Sequence, residues 1–150
     1  MSLGMYAMSW VGVATMNKSE RAIVIILRVV GFVGLFAIPA IFLPYSWMNT
    51  IHGHLGMGEL PNAPIVDYLA RSLSAFYAIV SVFTLFIARD IRRNRELLQL
   101  WTIMVIVIGF VLTGIDIAAG MPMSWTVLEG PPVVVVGVVV LWLQRRIVVK

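Results

Sequence analysis

Four charged side chains lie in the outer halves of stretches of sequence that are otherwise apolar enough to cross a membrane. They are Asp67, Arg71, Asp116 and Glu129. Counted from the ends of their apolar stretches, Arg71, Asp116 and Glu129 lie at a similar depth near the outer side of the membrane, and Asp67 lies one helical turn from Arg71. A lone charge in lipid costs several kcal/mol, which a partner of opposite charge offsets. We therefore predict an Arg71–Asp116 ion pair between the second and third spans, with an i,i+4 pair of Asp67 and Arg71 as the local alternative.

This intramembrane polar cluster has a structural and a functional interpretation. In the first, its charges hold the helices of a bundle together. In the second, they line an outward-facing pocket that binds a small anion, exchanges a proton or holds a lipid headgroup. The acids exceed what one arginine can neutralise, and the surplus carboxyl group is the basis of the proton hypothesis. Arg28 differs, because it lies near the inner start of the first span and can extend its side chain to the inner headgroups.

A second set of residues, with metal-ligand chemistry, falls in the two outer connections. It consists of Met48, His52, His54, Met57, Met121 and Met123. Thioether and imidazole groups suit Cu(I), and Met48 and His52 would share one face of a helix. In the alternative interpretation, methionine fills irregular gaps, and a helix with Trp47, Ile51 and Leu55 on one stripe lies on the membrane surface. On sequence grounds the cofactor is unknown, with none as the main expectation and copper as the candidate.

The elements that must position these residues are four apolar stretches. Of the 150 residues, 61% are apolar and only 12% are charged, and the mean hydropathy is +0.98. A soluble domain carries roughly 25% charged residues, so we predict an integral membrane protein with a single domain over 1–150. Each stretch is long enough to cross the hydrocarbon core. The spans are predicted at about 22–44, 65–88, 98–119 and 124–143.

The predicted fold is an all-α polytopic membrane protein, an antiparallel four-helix transmembrane bundle. Because lipid offers the backbone no hydrogen-bond partners, even the valine-rich run 133–140 must be helical. An interfacial segment is expected within the outer loop 45–64. The prolines of Gly130-Pro131-Pro132 are expected to break or kink the fourth helix, because proline lacks the backbone N–H and its ring clashes with the preceding turn.

The distribution of basic residues predicts the orientation. Nine of the eleven lysines and arginines lie outside the spans, all on one side. They are Lys18 and Arg21 before the first span, the anchors Arg89, Arg92, Arg93 and Arg95 in the loop 89–97, and Arg145, Arg146 and Lys150 after the fourth span. Cytoplasmic loops carry such an excess, so we predict that both termini and this loop are cytoplasmic, in a bacterial inner membrane. The N-terminal arm 1–21 is then cytoplasmic or interfacial, and the first span is an uncleaved signal anchor.

Composition and motifs also limit the function classes. Cytoplasmic anchors explain the net charge of +4, so no nucleic-acid partner is predicted. The arginine-rich loop could bind anionic lipid or a cytoplasmic partner, although anchoring explains it without a further role. Cysteine is absent, and the sequence contains no glycine-rich phosphate loop, Ser–His–Asp arrangement or HExxH motif.

We therefore predict a small non-enzymatic protein whose partners are the lipid bilayer and other membrane-protein subunits. Its expected role is that of an accessory or structural subunit of a larger membrane complex. Two alternatives stay open. One is a small proton-linked carrier that uses Arg71, Asp116 and Glu129. The other is a membrane protein that handles metal ions through the outer histidines and methionines.

One segment also resembles a known class of proteins. Tyr68-Leu69-Ala70-Arg71-Ser72-Leu73-Ser74-Ala75-Phe76-Tyr77 is similar to the arginine-plus-tyrosine segment of small bacterial four-helix membrane proteins of the broad DoxX-like class. The four-span layout with both termini inside is similar too. Ser74 and Ala75 stand where the class leads us to expect pairs of glycines. The resemblance implies a four-helix bundle and a role for Arg71, but no substrate.

Overall fold

The computed structural model describes residues 16–148 of the chain, and most of this part is helical, with no strand. The helices are α1 (Lys18–Leu35), α2 (Ala37–Ala40), α3 (Tyr45–His54), α4 (Pro64–Ile87), α5 (Arg95–Ala119) and α6 (Met123–Val148). Four segments are long and apolar enough to cross a membrane, over Lys18–Ala40, Pro64–Ile87, Arg95–Ala119 and Met123–Ile147. The prediction of an all-α chain with four such helices is confirmed. Most of the predicted N-terminal arm, residues 1–15, and the anchor Lys150 lie outside the described residues.

The first span begins earlier and ends earlier than predicted. It begins at Lys18 because Asn17 forms a capping box: its side chain accepts a hydrogen bond of 2.8 Å from the Glu20 N–H, and the Glu20 carboxylate accepts one of 2.8 Å from the Asn17 N–H. Helix α1 ends at Leu35, four residues before Pro39, whose ring cannot fit against the carbonyl group of the preceding turn. The predicted end at Pro44 is therefore wrong for the regular helix.

The fourth span is one continuous helix, so its prolines do not break it, and the expected kink stays a prediction. Helix α6 runs through Pro131 and Pro132, and the valine-rich run after them is helical as predicted. Helix α5 packs directly against this region: a Cβ atom added to Gly130 would lie 2.6 Å from the carbonyl oxygen of Gly109. Close packing of neighbouring helices is what allows proline inside membrane-spanning helices.

The helices form two closely packed pairs. Helix α5 packs along α6, and α1 packs along α4. The two pairs meet mainly through α1 and α6, while α4 and α5 scarcely touch each other. The short helix α2 packs on α4, and α3 is not among the helices that pack extensively on others.

The apolar core lies at one end of the bundle, which we call the arginine end because it carries the connection 88–94. The start of α1, the end of α4, the start of α5 and the end of α6 all contribute to it. Its buried members are Ile23, Leu27, Ile87, Ala88, Ile91, Leu98, Trp101, Val140 and Leu143. Polar side chains within it are paired: the Trp101 indole N–H donates to Thr84 Oγ1 at 2.9 Å, and the Thr84 hydroxyl donates to the carbonyl oxygen of Val80. Because these buried donors keep an acceptor, their burial does not carry the free-energy cost of an unsatisfied hydrogen-bond donor.

Candidate functional site

Arg71 ties α4 to the chain that follows the broken end of the first span. Its Nε donates to Asp67 Oδ2 at 2.8 Å, its Nη1 to the carbonyl oxygen of Ile41 at 2.5 Å and its Nη2 to that of Leu43 at 3.0 Å. Carbonyl groups at the end of a helix lack donors from their own helix. The guanidinium group supplies those donors here, so Arg71 stabilises the irregular segment between α2 and α3.

The predicted Arg71–Asp116 ion pair is wrong. Arg71 forms its salt bridge with Asp67, which was the local alternative. Asp67 lies one helical turn away on the same helix, whereas Asp116 lies on α5, which scarcely touches α4. The acceptors contributed by Ile41 and Leu43 had no sequence signal, because any residue type presents a backbone carbonyl group. The nearest clue was Pro44, which disfavours a helical conformation at Leu43 and so interrupts helical hydrogen bonding in this segment.

Asp116 instead faces Glu129 across the interface of α5 and α6. Asp116 is only 5% exposed, and its Oδ2 atom has no hydrogen-bond partner among the described residues. Glu129 lies near enough to Asp116 for the two carboxyl groups to interact, and the Trp125 side chain lies near Glu129 as well. We call Asp116 and Glu129 the acidic pair. Two of the four residues of the predicted polar cluster are therefore together, and the other two form a separate ion pair.

Small side chains bring the acidic pair together. Gly109, Thr113 and Asp116 follow one another at helical spacing on one face of α5. A Cβ atom added to Gly130 would collide with the Thr113 hydroxyl and would lie 2.9 Å from the Thr113 backbone nitrogen. The absent side chain of Gly130 thus allows the backbones of α5 and α6 to approach closely, next to Glu129 in the chain.

Two aromatic residues of this site were missed by sequence reasoning. Tyr77 on α4 lies near enough to both carboxyl groups to interact with their charges. Trp125 precedes Glu129 by one helical turn, so the i,i+4 spacing was the signal that could have placed it on the same face. Nothing comparable pointed to Tyr77, because its position depends on how α4 is rotated in the bundle.

The predicted anchors gather at the arginine end. Glu20, which is 4% exposed, accepts two hydrogen bonds from Arg92: 2.7 Å from Nε to Oε1 and 2.8 Å from Nη2 to Oε2. This hydrogen bonding raises the pKa of the Arg92 guanidinium group above its ordinary value. Arg146 stacks on Trp142, with its Cζ atom 3.6 Å from the ring centroid. The buried partner Glu20 was not predicted, although it belongs to the capping box of α1.

The remaining anchors take up positions around this ion pair. Arg89 and Arg93 are exposed in the connection, while Arg95 begins α5 and Arg145 lies in the last turn of α6. The connection is held by Asp90, whose Oδ1 accepts hydrogen bonds from the backbone N–H groups of two arginines, Arg92 and Arg93. The cationic groups therefore surround the end of the bundle that contains its core.

The segment 45–64, which was predicted to be the outer loop, is ordered by polar contacts of its own. The Leu60 carbonyl oxygen accepts a hydrogen bond from the Tyr45 hydroxyl, and the Leu60 N–H donates to Asn49 Oδ1 at 2.7 Å. His52 Nδ1 lies 2.9 Å from the carbonyl oxygen of Gly58, a geometry in which Nδ1 carries the proton and donates. The segment that connects α3 to α4 is thereby folded back on α3.

The candidate metal ligands are spread over separate elements. Met48, His52 and His54 belong to α3 and Met57 follows it, whereas Met121 lies in the turn before α6 and Met123 begins α6. Within residues 16–148, no group of three or more histidine, cysteine, aspartate or glutamate side chains is placed to hold a metal ion. Methionine is not among these residue types, so the copper hypothesis stays a prediction.

No protein-family model, curated protein or solved structure matches the chain. The resemblance of Tyr68–Tyr77 to the DoxX-like class therefore stays a prediction. The site must be interpreted from its own residues.

Proposed function

We propose that the chain is an integral protein of a bacterial inner membrane that binds and releases a proton at the acidic pair, as a small proton-linked carrier. In this proposal the four spans run antiparallel and both termini are cytoplasmic. The single observation that carries the proposal is the burial of Asp116 beside Glu129, with the Asp116 Oδ2 atom lacking a hydrogen-bond partner in the described part of the chain.

The proposed orientation is supported by the arginine end. The start of α1, the end of α4, the start of α5 and the end of α6 contribute to one core, as spans that alternate in direction would. The same end carries the basic residues of the connection 88–94 and of the last turn of α6. An excess of basic residues favours the cytoplasmic side, so the acidic pair would face the outer side.

The proposed chemistry follows from the charges around the acidic pair. Two carboxylates about 4 Å apart repel each other by about 4 kcal/mol at an effective dielectric constant of 20, and burial disfavours each charge further. Neither salt bridge of the described residues involves Asp116 or Glu129, and Arg71 is committed to Asp67. One proton shared by the pair removes the repulsion and gives Asp116 a hydrogen bond. The pair then exchanges that proton with the outer compartment.

Tyr77 extends the acidic pair toward the middle of the membrane. Its side chain comes from α4, so the site draws on both closely packed pairs of helices. A phenol hydroxyl both donates and accepts, which suits it to pass a proton along a chain of hydrogen bonds. The weak packing between α4 and α5 places this residue at the boundary where the two pairs can shift relative to each other. A proton bound there can be coupled to such a shift, which is what a proton-linked carrier requires.

Proton movement into liposomes tests the proposal. We expect the purified protein, reconstituted with a pH-sensitive dye inside the vesicles, to acidify the interior when the outside is acidified. The Asp116→Asn variant should acidify it no faster than vesicles without protein, because the amide cannot release a proton. Glu59→Gln is the matched control, since Glu59 is an exposed acid of the outer connection and lies outside the acidic pair.

Folding is measured on the same preparations. The Asn side chain keeps the shape of Asp116, so the Tm of the variant should stay close to that of the wild type. Wild-type proton movement in a folded Asp116→Asn protein would contradict the proposal. Equal loss in the Glu59→Gln control would contradict it too, because the effect would then not belong to the acidic pair.

An accessory role in a larger membrane complex is the second candidate function, and Arg28 is the observation that favours it. Arg28 is exposed on α1, at a depth that the apolar span should occupy, and neither salt bridge in the described part of the chain includes it. An acidic residue of a partner subunit would neutralise it. The alternative is that its side chain extends to the inner headgroups.

Extraction from source membranes in a mild detergent tests the accessory role. As a subunit, the wild-type chain should run in an assembly with partners in fixed stoichiometry, and Arg28→Gln should weaken that association. Arg89→Gln is the control, because Arg89 is exposed in the connection and outside the spans. A chain that runs alone or only with copies of itself would contradict the accessory role and leave the carrier proposal standing.

A further inference from the structure

A cleft of about 690 Å³ opens at the arginine end, between the start of α1, the connection 88–94, α5 and α6. Its polar lining consists of Glu20, Arg92, Arg95, Gln99, Gln144 and Arg145. Apolar side chains, among them Leu98 and Leu141, form the rest of the wall. The cleft lies at the end of the bundle opposite the acidic pair, and neither the proton site nor the anchoring role explains it.

The charges of the cleft favour an anion. It contains three arginines and one acid, and that acid, Glu20, is buried and already accepts two hydrogen bonds from Arg92. Arg95 and Arg145 take part in neither salt bridge of the described residues, so their charges are not neutralised within this part of the chain. They come from different helices, α5 and α6, and reach the same cleft from two sides. Two guanidinium groups placed in this way suit a phosphate oxyanion.

The position of the cleft favours an amphiphilic ligand. The apolar core, to which Leu98 at the start of α5 belongs, lies directly beneath the cleft. Leu141 lies on α6 one turn before Arg145, so the wall changes from apolar to cationic along the helix axis. In the proposed orientation this change falls at the level of the inner headgroups. A ligand with a phosphate at one end and hydrocarbon at the other matches both parts of the wall.

We propose that the cleft binds an anionic phospholipid of the cytoplasmic leaflet, with its phosphate between Arg95 and Arg145 and its acyl chains along the apolar wall that includes Leu141. Glu20 acts as a positioning residue, because it holds Arg92 at the edge of the cleft. The inference rests on the proposed orientation of the chain and is independent of the proton site. The bound lipid joins α1, α5 and α6 at the end that contains the core.

Lipid retention provides the test. The protein is placed in nanodiscs that contain phosphatidylglycerol and phosphatidylcholine in equal amounts, released in the mass spectrometer, and its retained lipids are identified. We expect the wild type to retain phosphatidylglycerol in preference to phosphatidylcholine. The double variant Arg95→Gln/Arg145→Gln should lose this preference by about tenfold or more, because each arginine near an anionic lipid contributes to its binding.

The matched control is the double variant Arg89→Gln/Arg146→Gln. It removes the same number of charges from the same two parts of the chain, but neither residue lines the cleft. It should retain phosphatidylglycerol as the wild type does. Equal loss in both double variants would overturn the proposal, because lipid would then respond only to net charge. A wild type that retains both lipids equally would overturn it as well.

Two further measurements keep the test decisive. Inorganic phosphate is added at increasing concentration, and the retained phosphatidylglycerol should stay in place; its displacement by phosphate alone would show a site for free phosphate and overturn the lipid assignment. The Tm of each variant is recorded. If the double variant does not fold, Arg95→Gln is compared with Arg89→Gln in the same way, and equal retention by these two would reject the site.

Discussion

Replacing Arg71 with methionine is expected to lower the Tm by roughly 5–10 °C and to reduce the amount of folded protein extracted from membranes. The substitution removes donors to the Asp67 carboxylate and to the carbonyl oxygens of Ile41 and Leu43. Methionine keeps the length of the side chain and its apolar contacts, so the drop in Tm measures the effect of losing these hydrogen bonds. Thermal unfolding followed by circular dichroism in detergent measures it.

Arg28→Met is the matched control for this prediction. Both arginines lie within segments of spanning length and composition, but Arg28 is exposed and takes part in neither salt bridge of the described residues. Its replacement should leave the Tm nearly unchanged. If the two variants lose stability equally, the interpretation of Arg71 as the residue that holds the broken end of the first span is wrong.

Gly109→Ala is expected to destabilise the protein by about 1–3 kcal/mol, the usual cost of forcing an extra methyl group into a closely packed interface. A Cβ atom at this position would lie 2.6 Å from Val134 Cγ2 and 2.9 Å from the Val134 backbone nitrogen. The backbone atom cannot move aside as a flexible side chain can, so α5 and α6 must separate. Chemical unfolding monitored by tryptophan fluorescence gives the difference in free energy of unfolding.

Gly114→Ala on the same helix is the control. A Cβ atom added there meets no atom within 4 Å. Since alanine is a better helix former than glycine by about 1 kcal/mol, this variant should be as stable as the wild type or slightly more stable. A Gly109→Ala protein as stable as Gly114→Ala would show that α5 and α6 are not in the close contact described above.

The spans were predictable because composition alone determines them, whereas their ends depend on local chemistry. The capping box is recognisable in the sequence as Asn17 followed three residues later by Glu20, and this pattern predicts that α1 begins at Lys18. Pro39 likewise marks the end of α1. The continuity of α6 through Pro131 had no such local signal, because it depends on the packing of α5 against Gly130.

The sequence predicted the depth of the site residues in the membrane, but not the direction in which each helix turns them. Counting residues from the ends of the spans placed Arg71, Asp116 and Glu129 at one level. Which of them meet depends on the direction in which each helix turns its face and on which helices are neighbours. Since α4 scarcely touches α5, Arg71 cannot take the partner that depth alone assigns to it. A single sequence does not show which helices are neighbours in the bundle.

The location of the core at the arginine end means that the four long helices are held together unevenly along their length. The largest fully buried side chains, among them Ile23, Ile87 and Val140, all lie near this end. The far ends of α4 and α5 have little contact to hold them together. The two closely packed pairs of helices are therefore joined mainly at the arginine end. Under the proposed function, separation of these two pairs would open the bundle on the side from which the proton arrives.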